Sequence, residues 1–329
     1  MSDSNKTVAQ KPHCIRYLSR DLLQSLQLSV KEIVASIEHL ILGQNLQQAW
    51  SAPKVVITPP DGRYMMATLA AADNPPFLAV KALVLNPDNP KQGFESINAL
   101  VILLDSHSGL PLAIIDGNWV TAARTAGLSA VAAKRLARPD ASIAAFIGCG
   151  VQAHSHLQAL AAMFPLKQIQ AFGRGTASRD AFCRSAEKLG LMAIASQTAQ
   201  EAVSNADLIV TSVTLAPQLV PFLDARWLKP GAFVTMTDLA APWLVESMSA
   251  FDRIIVDDLK QEASLPKPLV DPALVCGDLT SLVTGDAAGR RTGDERTAFV
   301  FRGLAIGDLA VAGLAYQRAC ESSQGTMID

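Results

Sequence analysis

An α/β fold in two parts follows from three features of the 329-residue chain. Residues 54–116 break into short strand-like runs separated by proline, glycine and asparagine turns. From residue 143 onward, strands alternate with helices, and a long alanine-rich helix joins the two regions. The first pattern predicts an α+β domain with an antiparallel sheet; the second predicts βαβ units around a parallel sheet.

The elements take their places in order. Ser19-Arg20-Asp21 offers a helix start, and Val30, Ile33, Val34, Ile37, Leu40 and Ile41 recur at helical spacing, giving one amphipathic face. Strand-like runs follow at Lys54 to Thr58, Tyr64 to Leu69, Leu78 to Leu85, Ala99 to Leu104 and Leu110 to Ile115. Pro59-Pro60-Asp61-Gly62, Asn74-Pro75-Pro76, Asn86-Pro87-Asp88 and Asp105-Ser106-His107-Ser108-Gly109 punctuate them as turns. A helix is expected from Thr121 through Ala137, where Pro139 stops it. Strands at Ile143 to Ile147, Ile169 to Phe172, Leu208 to Thr211, Phe233 to Met236 and Ile254 to Val256 then alternate with helices. A last amphipathic helix, Ala305 to Cys320, follows the strand-like Thr297 to Phe301 and is placed to pack back on the first domain.

Composition narrows the chemistry. Half of the residues are hydrophobic, enough for a sizeable core, and the net charge of −2 with no Lys/Arg block argues against nucleic acid or an anionic membrane as partner. A small neutral or anionic metabolite fits better. Five cysteines, never spaced C-x-x-C, point to reduced thiols and a cytoplasmic location rather than to a disulfide framework or a metal knuckle. The polar stretch Met1 to Pro12 lacks the apolar core of an export signal, and no apolar run is long enough to span a bilayer.

The most informative run is Ser142-Ile143-Ala144-Ala145-Phe146-Ile147 followed by Gly148-Cys149-Gly150-Val151-Gln152-Ala153. A buried strand feeding a glycine turn that opens a helix presents backbone N–H groups and a helix dipole to a pyrophosphate, so a dinucleotide is expected here. Plain helix–strand packing by small residues is the alternative. At the end of the next strand, where an acidic residue would accept the ribose hydroxyl of NAD, stands Gly173-Arg174-Gly175-Thr176. A guanidinium there suits a 2′-phosphate and favours NADPH, with NADH still open, unless Arg174 is a solvated loop residue.

Thr121-Ala122-Ala123-Arg124-Thr125-Ala126, Arg138-Pro139-Asp140, the glycine turn, and Asp294-Glu295-Arg296-Thr297-Ala298-Phe299 with Gly303 and Asp308 together resemble the ornithine cyclodeaminase/mu-crystallin family, from about Lys54 to Ala319. The resemblance implies a homodimer joined through its antiparallel-sheet domains and a Rossmann-type domain inserted before the final helix. The corresponding boundaries are 1–122 with 303–329 for the substrate-binding and dimerisation domain, and 123–302 for the NAD(P)-binding domain. It also implies reaction at a carbon that bears an amine or imine beside a carboxylate. The expected cofactor residues are Gly148, Gly150, Val151 and Gln152 in the turn, Arg174 after it, Ser212 and Val213 beyond the next strand, Met236 and Asp238, and Arg124 with Thr125.

An α-imino acid needs its carboxylate gripped by cations so that the reacting carbon lies over the nicotinamide. Arg124, among small neighbours in the alanine-rich helix, has no packing reason to be there and is the first candidate. Lys81, in the apolar strand Phe77 to Leu85, is either an outward strand-face residue or a second cation; the family places its substrate-contacting lysine here. Lys54 falls where many relatives carry an arginine, which keeps the charge but loses the bidentate fork. Asp238, after the strand Phe233 to Met236, reads equally as an N-cap for the segment at Pro242 or as a site residue; the family's aspartate at this place faces the reacting nitrogen, where it balances an iminium charge. Two departures make ornithine cyclisation the weaker expectation: Thr237 to Trp243 lacks the family's G-x-D-x-P-G-K pattern, and Tyr64 stands where cyclodeaminases carry a glutamate.

These residues point to NAD(P)H-dependent reduction of Δ1-pyrroline-2-carboxylate or Δ1-piperideine-2-carboxylate to proline or pipecolate. An ornithine or lysine cyclodeaminase using bound NAD, an alanine dehydrogenase variant and a non-catalytic crystallin-like binder are the alternatives. His154 and His156 read as helix surface, unable to share a metal; Cys149 as a small filler; Asp257-Asp258 as a solvated turn; and Asp105, Ser106 and His107 as a turn without triad meaning.

Overall fold

Two eight-stranded sheets lie on either side of one long helix in a computed structural model that describes residues 14–215 and 218–329. The expectation for the polar stretch Met1 to Pro12 lies outside the described residues. The first sheet is built from β1 (Ile15–Leu18), then, after helices α1 (Arg20–Ser25) and α2 (Val30–Asn45), from β2 (Ala49–Ser51), β3 (Val55–Ile57), β4 (Tyr64–Asp73), β5 (Pro76–Leu85), β6 (Ile97–Asp105) and β7 (Pro111–Asp116). Ser19 caps α1 through Leu22 N–H, and Ser29 and Glu32 close a reciprocal capping box on α2, satisfying N–H groups that the first turn leaves without partners. Strands β4 to β7 form the expected antiparallel meander. β1 departs from it, joining β7 in parallel.

Side chains alternate cleanly across this sheet. Met66, Thr68, Ala70 and Ala72 of β4 and Phe77, Ala79, Lys81 and Leu83 of β5 face inward and are buried, whereas Met65, Leu69, Val84, Leu100 and Ile102 face outward and are exposed. Helix α3 (Gly117–Leu136) covers the inner side; it begins at Gly117 rather than Thr121 because Asp116 accepts Trp119 N–H and caps it.

The second sheet takes β8 (Ile143–Ile147), α4 (Val151–Met163), β9 (Gln168–Phe172), α5 (Thr176–Glu187), β10 (Met192–Ala195), α6 (Ala199–Ser204), β11 (Leu208–Thr211), β12 (Phe233–Met236), β13 (Arg253–Val256), α7 (Leu259–Ala263), β14 (Val275–Asp278), α8 (Leu279–Thr284) and β15 (Thr297–Val300). All pair in parallel in the order β10-β9-β8-β11-β12-β15-β13-β14. Strands covered on both faces read as continuous apolar runs, and here Phe146, Val210, Phe233 and Phe299 share one core with α3 and the first sheet, while Ile147, Ile209, Val234 and Val300 enter a second core on the opposite face. The chain order reverses between β8 and β11, and in such sheets ligands bind beyond the carboxyl ends of the strands at that reversal. After β15, α9 (Ala305–Glu321) returns to pack on α2, α3 and the first sheet, and β16 (Thr326–Ile328) closes on β1.

Candidate active site

The glycine turn folds as its residues require. Gly148 has φ +95, and a β-carbon there would stand 2.5 Å from the Ser212 carbonyl oxygen, so close approach of β8 and β11 needs glycine. Gly150 caps α4 with no side chain to accept its first-turn N–H groups, and among the described residues nothing beyond its chain neighbours lies within 4 Å of where its β-carbon would be. Open N–H groups at the start of a thirteen-residue helix make an anion cradle. The cleft in front of it, about 330 Å³, is lined by Gly148, Gly150, Arg174, Ser212 and Val213, all expected cofactor residues, together with Phe172, Ser178 and Phe222. Val151 and Gln152 open the helix beside it; the Gln152 Oε1 is buried without a hydrogen-bond partner. Arg174 is exposed and makes no ion pair among the described residues. Thr125 is buried and donates to the Thr121 carbonyl, and Met236 lies wholly in the second core, so neither side chain lines the cleft.

A second group of charges sits deeper. Lys81 is only 1% exposed, which settles its orientation inward. Its Nζ donates to Asp308 Oδ1 at 2.7 Å, and Thr68, its cross-strand partner, donates to Oδ2 at 3.2 Å. Arg124 Nε stands 3.1 Å from the same Oδ1 but is not aligned to donate, and it is left without an acceptor. Burial drives the Lys81 ammonium down to about 8 against the pull of Asp308; burial would raise the Asp308 carboxyl, but Lys81 and Arg124 hold it below its ordinary value. Lys54, just before β3, donates from Nζ to the Arg302 carbonyl at 2.6 Å, and burial lowers it too, to about 8, with Asp257, Arg124, Lys81 and Asp308 all close enough to act on it. The structure thus brings Lys54, Lys81 and Arg124 together beside Asp257 and Asp308. With three cations and two carboxylates, one positive charge is left over.

Asp238 does not cap a helix at Pro242. It is buried beyond the carboxyl end of β12, accepting from Thr211 Oγ1 at 2.9 Å and Val213 N–H at 3.0 Å, and burial pushes its carboxyl up to about 6. It stands outside the cation group, one strand away: β12 pairs with β15, whose continuation carries Arg302 and Gly303, and neighbouring strands are about 4.8 Å apart. Gly303, at φ +97, lies so tightly against Arg124 that a β-carbon would overlap its Nη1.

Two sequence readings are corrected. Asp257 is not in a solvated turn: it is buried and accepts from the Arg302 and Gly303 N–H groups, while Asp258 alone acts as a cap, on α7. His156 is not helix surface but fully buried, its ring bridging the Gln152 carbonyl and Ser129 Oγ, which also meets Thr235 Oγ1; burial lowers it to about 4. His154 is half-buried against Phe182. Cys149 is buried with its thiol pushed up to about 11, an inert filler. Asp105 accepts from His107 and Ser108 in a plain turn, and no group of His, Cys, Asp or Glu among the described residues could hold a metal. Asp308 and Asp257 had no assigned role in the sequence. A lone carboxylate inside the apolar run Ala305 to Ala315 is the signal that marks Asp308.

A profile of the ornithine cyclodeaminase/mu-crystallin family matches residues 21–323. Alanine dehydrogenase of Archaeoglobus fulgidus is 30% identical over 323 residues, covering 94% of this chain and 97% of that one. The structure of Thermococcus litoralis Δ1-pyrroline-2-carboxylate reductase, in complex with NADH and L-proline, superposes with a TM-score of 0.88 at 28% identity, covering 95% of this chain and 100% of that one. An archaeal alanine dehydrogenase dimer with bound NAD gives 0.86 at 29% identity, over 96% of this chain and 99% of that one.

Proposed function

Because the chain belongs to the ornithine cyclodeaminase/mu-crystallin family, we propose that it is an NAD(P)H-dependent reductase of small cyclic ketimine carboxylates, forming L-proline from Δ1-pyrroline-2-carboxylate or L-pipecolate from Δ1-piperideine-2-carboxylate. The observation that carries this reading is the cation group with its one uncompensated positive charge, set beyond the carboxyl ends of the second sheet's strands, as the glycine turn is. A carboxylate from the substrate would satisfy both the charge and the orphaned Arg124 Nε.

The cleft fits a dinucleotide: its helix start offers open N–H groups to the pyrophosphate, and Arg174 offers a free guanidinium to a 2′-phosphate, which favours NADPH over NADH. The reduced nicotinamide, when bound, supplies the hydride. Lys54, Lys81 and Arg124 hold the carboxylate from three elements and so fix the ring against the cofactor face. Asp238 supplies the negative charge one strand away that balances a protonated imine, making its carbon a better hydride acceptor, and Lys81 is the nearby group able to exchange a proton near neutral pH. Binding of L-proline and NADH by the Thermococcus relative supports the substrate class. Tyr64 projects on the inner side of β4, in line with Met66 and Thr68; it brings no carboxylate for the distal amine of ornithine, which weighs against a cyclodeaminase.

The partners proposed are a small imino or amino acid and a second copy of the chain, joined through the apolar outer side of the first sheet; the archaeal relative is described as a dimer. The free cysteines suit the reducing cytoplasm, and no helix among the described residues is long and apolar enough to cross a membrane. Mixing the protein with NADPH or NADH and each imine, and following the absorbance of the reduced cofactor, tests the reading. Consumption of cofactor with either imine is expected. Turnover only with pyruvate and ammonia, ammonia release from ornithine without net oxidation, or no turnover at all would overturn it.

A further inference from the structure

Asp257 enters the charge balance of the cation group without a role in the proposed reaction, yet it is one of the most deeply buried carboxylates among the described residues. It follows β13 directly and is 1% exposed. Its Oδ2 accepts two N–H groups, from Arg302 at 3.0 Å and Gly303 at 2.8 Å, so the peptide that continues β15 rests on this one oxygen. The other side of that peptide serves the cations. The Arg302 carbonyl receives Lys54 Nζ at 2.6 Å, and the bare Cα of Gly303 is the surface on which the Arg124 guanidinium is packed. Two members of the clamp, from two different elements, therefore take their positions from a dipeptide whose own position is set by Asp257.

We propose that Asp257 is a positioning residue of the carboxylate clamp: by holding the Arg302–Gly303 peptide from beneath it fixes where Lys54 and Arg124 stand, and its negative charge faces the Lys54 ammonium. The inference rests on the clamp reading above and deepens it by naming the residue through which the clamp is set. Accepting two N–H bonds needs only a lone pair on each side of one oxygen, which an amide or a carbonyl supplies without burying a charge. A carboxylate in that place bears a desolvation cost, visible as the rise of its carboxyl to about 6, so the charge itself has a use. Lys54 is that use: Asp257 raises the lysine against its burial and against the repulsion of Arg124 and Lys81, with Asp308 adding to the same side. Glu262, the other carboxylate acting on Asp257, is tied up by the Arg302 guanidinium at 2.5 Å.

The experiment separates geometry from charge and acid binding from cofactor binding. Pyrrole-2-carboxylate, an unreactive planar acid, is titrated calorimetrically into the cofactor-loaded protein and into Asp257→Asn, Asp257→Ala and the neighbouring control Asp258→Asn. Asp257→Asn keeps an acceptor for the Arg302 and Gly303 N–H groups, giving up only the Asp258 N–H bond to Oδ1 at 3.2 Å, and removes the charge that keeps Lys54 protonated, so at about pH 8 the acid is expected to bind about tenfold more weakly, with cofactor affinity unchanged. The pH above which acid binding fails should also move downward in this variant, because Lys54 loses its opposing charge. Asp257→Ala should lose more, and Asp258→Asn nothing. Unchanged acid affinity and pH limit in Asp257→Asn would overturn the proposal, as would equal loss of acid and cofactor binding, which marks a purely structural part. Failure of the unaltered protein to bind the acid at all would instead remove the clamp reading, and this proposal with it.

Discussion

The Lys81 ammonium and the Asp308 carboxylate meet at 2.7 Å with almost no solvent on either, and such a pair is retained only where further bonds or a further charge complete it. Thr68 completes one side; Arg124 and Lys54 tip the balance to positive on the other. The same burial that makes these groups costly sets when they work. In the proposed reaction Asp238, its carboxyl raised to about 6 by burial, has to be ionised to balance a protonated imine, so activity should fall as pH drops through 6. Lys81 and Lys54, lowered to about 8 by burial, have to be protonated to hold a carboxylate as proposed, so activity should fall as pH rises through 8. The kcat/KM for the imine is therefore expected to trace a bell between these values. Asp238→Asn should lower kcat on the order of a hundredfold, with KM for the cofactor nearly unchanged. Its acid limb should become shallower without disappearing, since Asp257 titrates near the same pH. A profile flat from pH 5 to 9, roughly the span between carboxylate and ammonium titration, would remove both assignments.

At the scale of elements, what the sequence disclosed follows the strength of local signals. The periodic apolar face of α2, the strand before Gly148 and the lone lysine in β5 are visible because each is a deviation within a short window. The short strands β1, β10, β14 and β16 have three or four residues each and partly exposed side chains, so no period can establish itself. The start of α3 was hidden because Asp116-Gly117 has the composition of a turn; only the cap bond to Trp119 shows it to be a helix entry. Asp257 was misread for a related reason: two adjacent aspartates look solvated, and their division into one buried acceptor and one cap depends on a peptide 45 residues away. Arg174, in contrast, sits where the turn after β9 was expected to put it, on the cleft. Its guanidinium can reward a 2′-phosphate, so Arg174→Asp should raise KM for NADPH by about 10- to 100-fold and leave KM for NADH the same or lower, measured by steady-state kinetics with each cofactor. An unaltered ratio between the cofactors would show that the side chain points away from the ribose.

For the molecule as a whole, the main asymmetry is between the two sides of the first sheet. The inner side shares a core with α3, α9 and the second sheet, whereas the outer side presents Met65, Leu69, Val84, Leu100 and Ile102, with Val55, Val56 and Ile57 of β3 at its margin, all exposed and none charged. An apolar sheet side of this kind is a candidate interaction surface, and a stable interface asks for roughly 800 Å² from each partner. Covering it with a second copy also bears on the site. Among the described residues β3 pairs only with β4, its three residues are exposed on either side, and Lys54 stands immediately before it. A strand held along one edge is free to drift, and a drift of about 1 Å in a positioning cation costs on the order of a hundredfold in rate. Assembly should therefore steady Lys54 as well as hide apolar surface. Leu100→Glu puts a charge on the exposed outer side of the sheet. It is expected to give monomers by sedimentation, with the second sheet and cofactor affinity intact, and with kcat/KM for the imine reduced more than cofactor binding. A Leu100→Glu protein that sediments as the unaltered one does would show that the copies meet elsewhere. Monomers of full activity would show instead that Lys54 keeps its place without help from a partner.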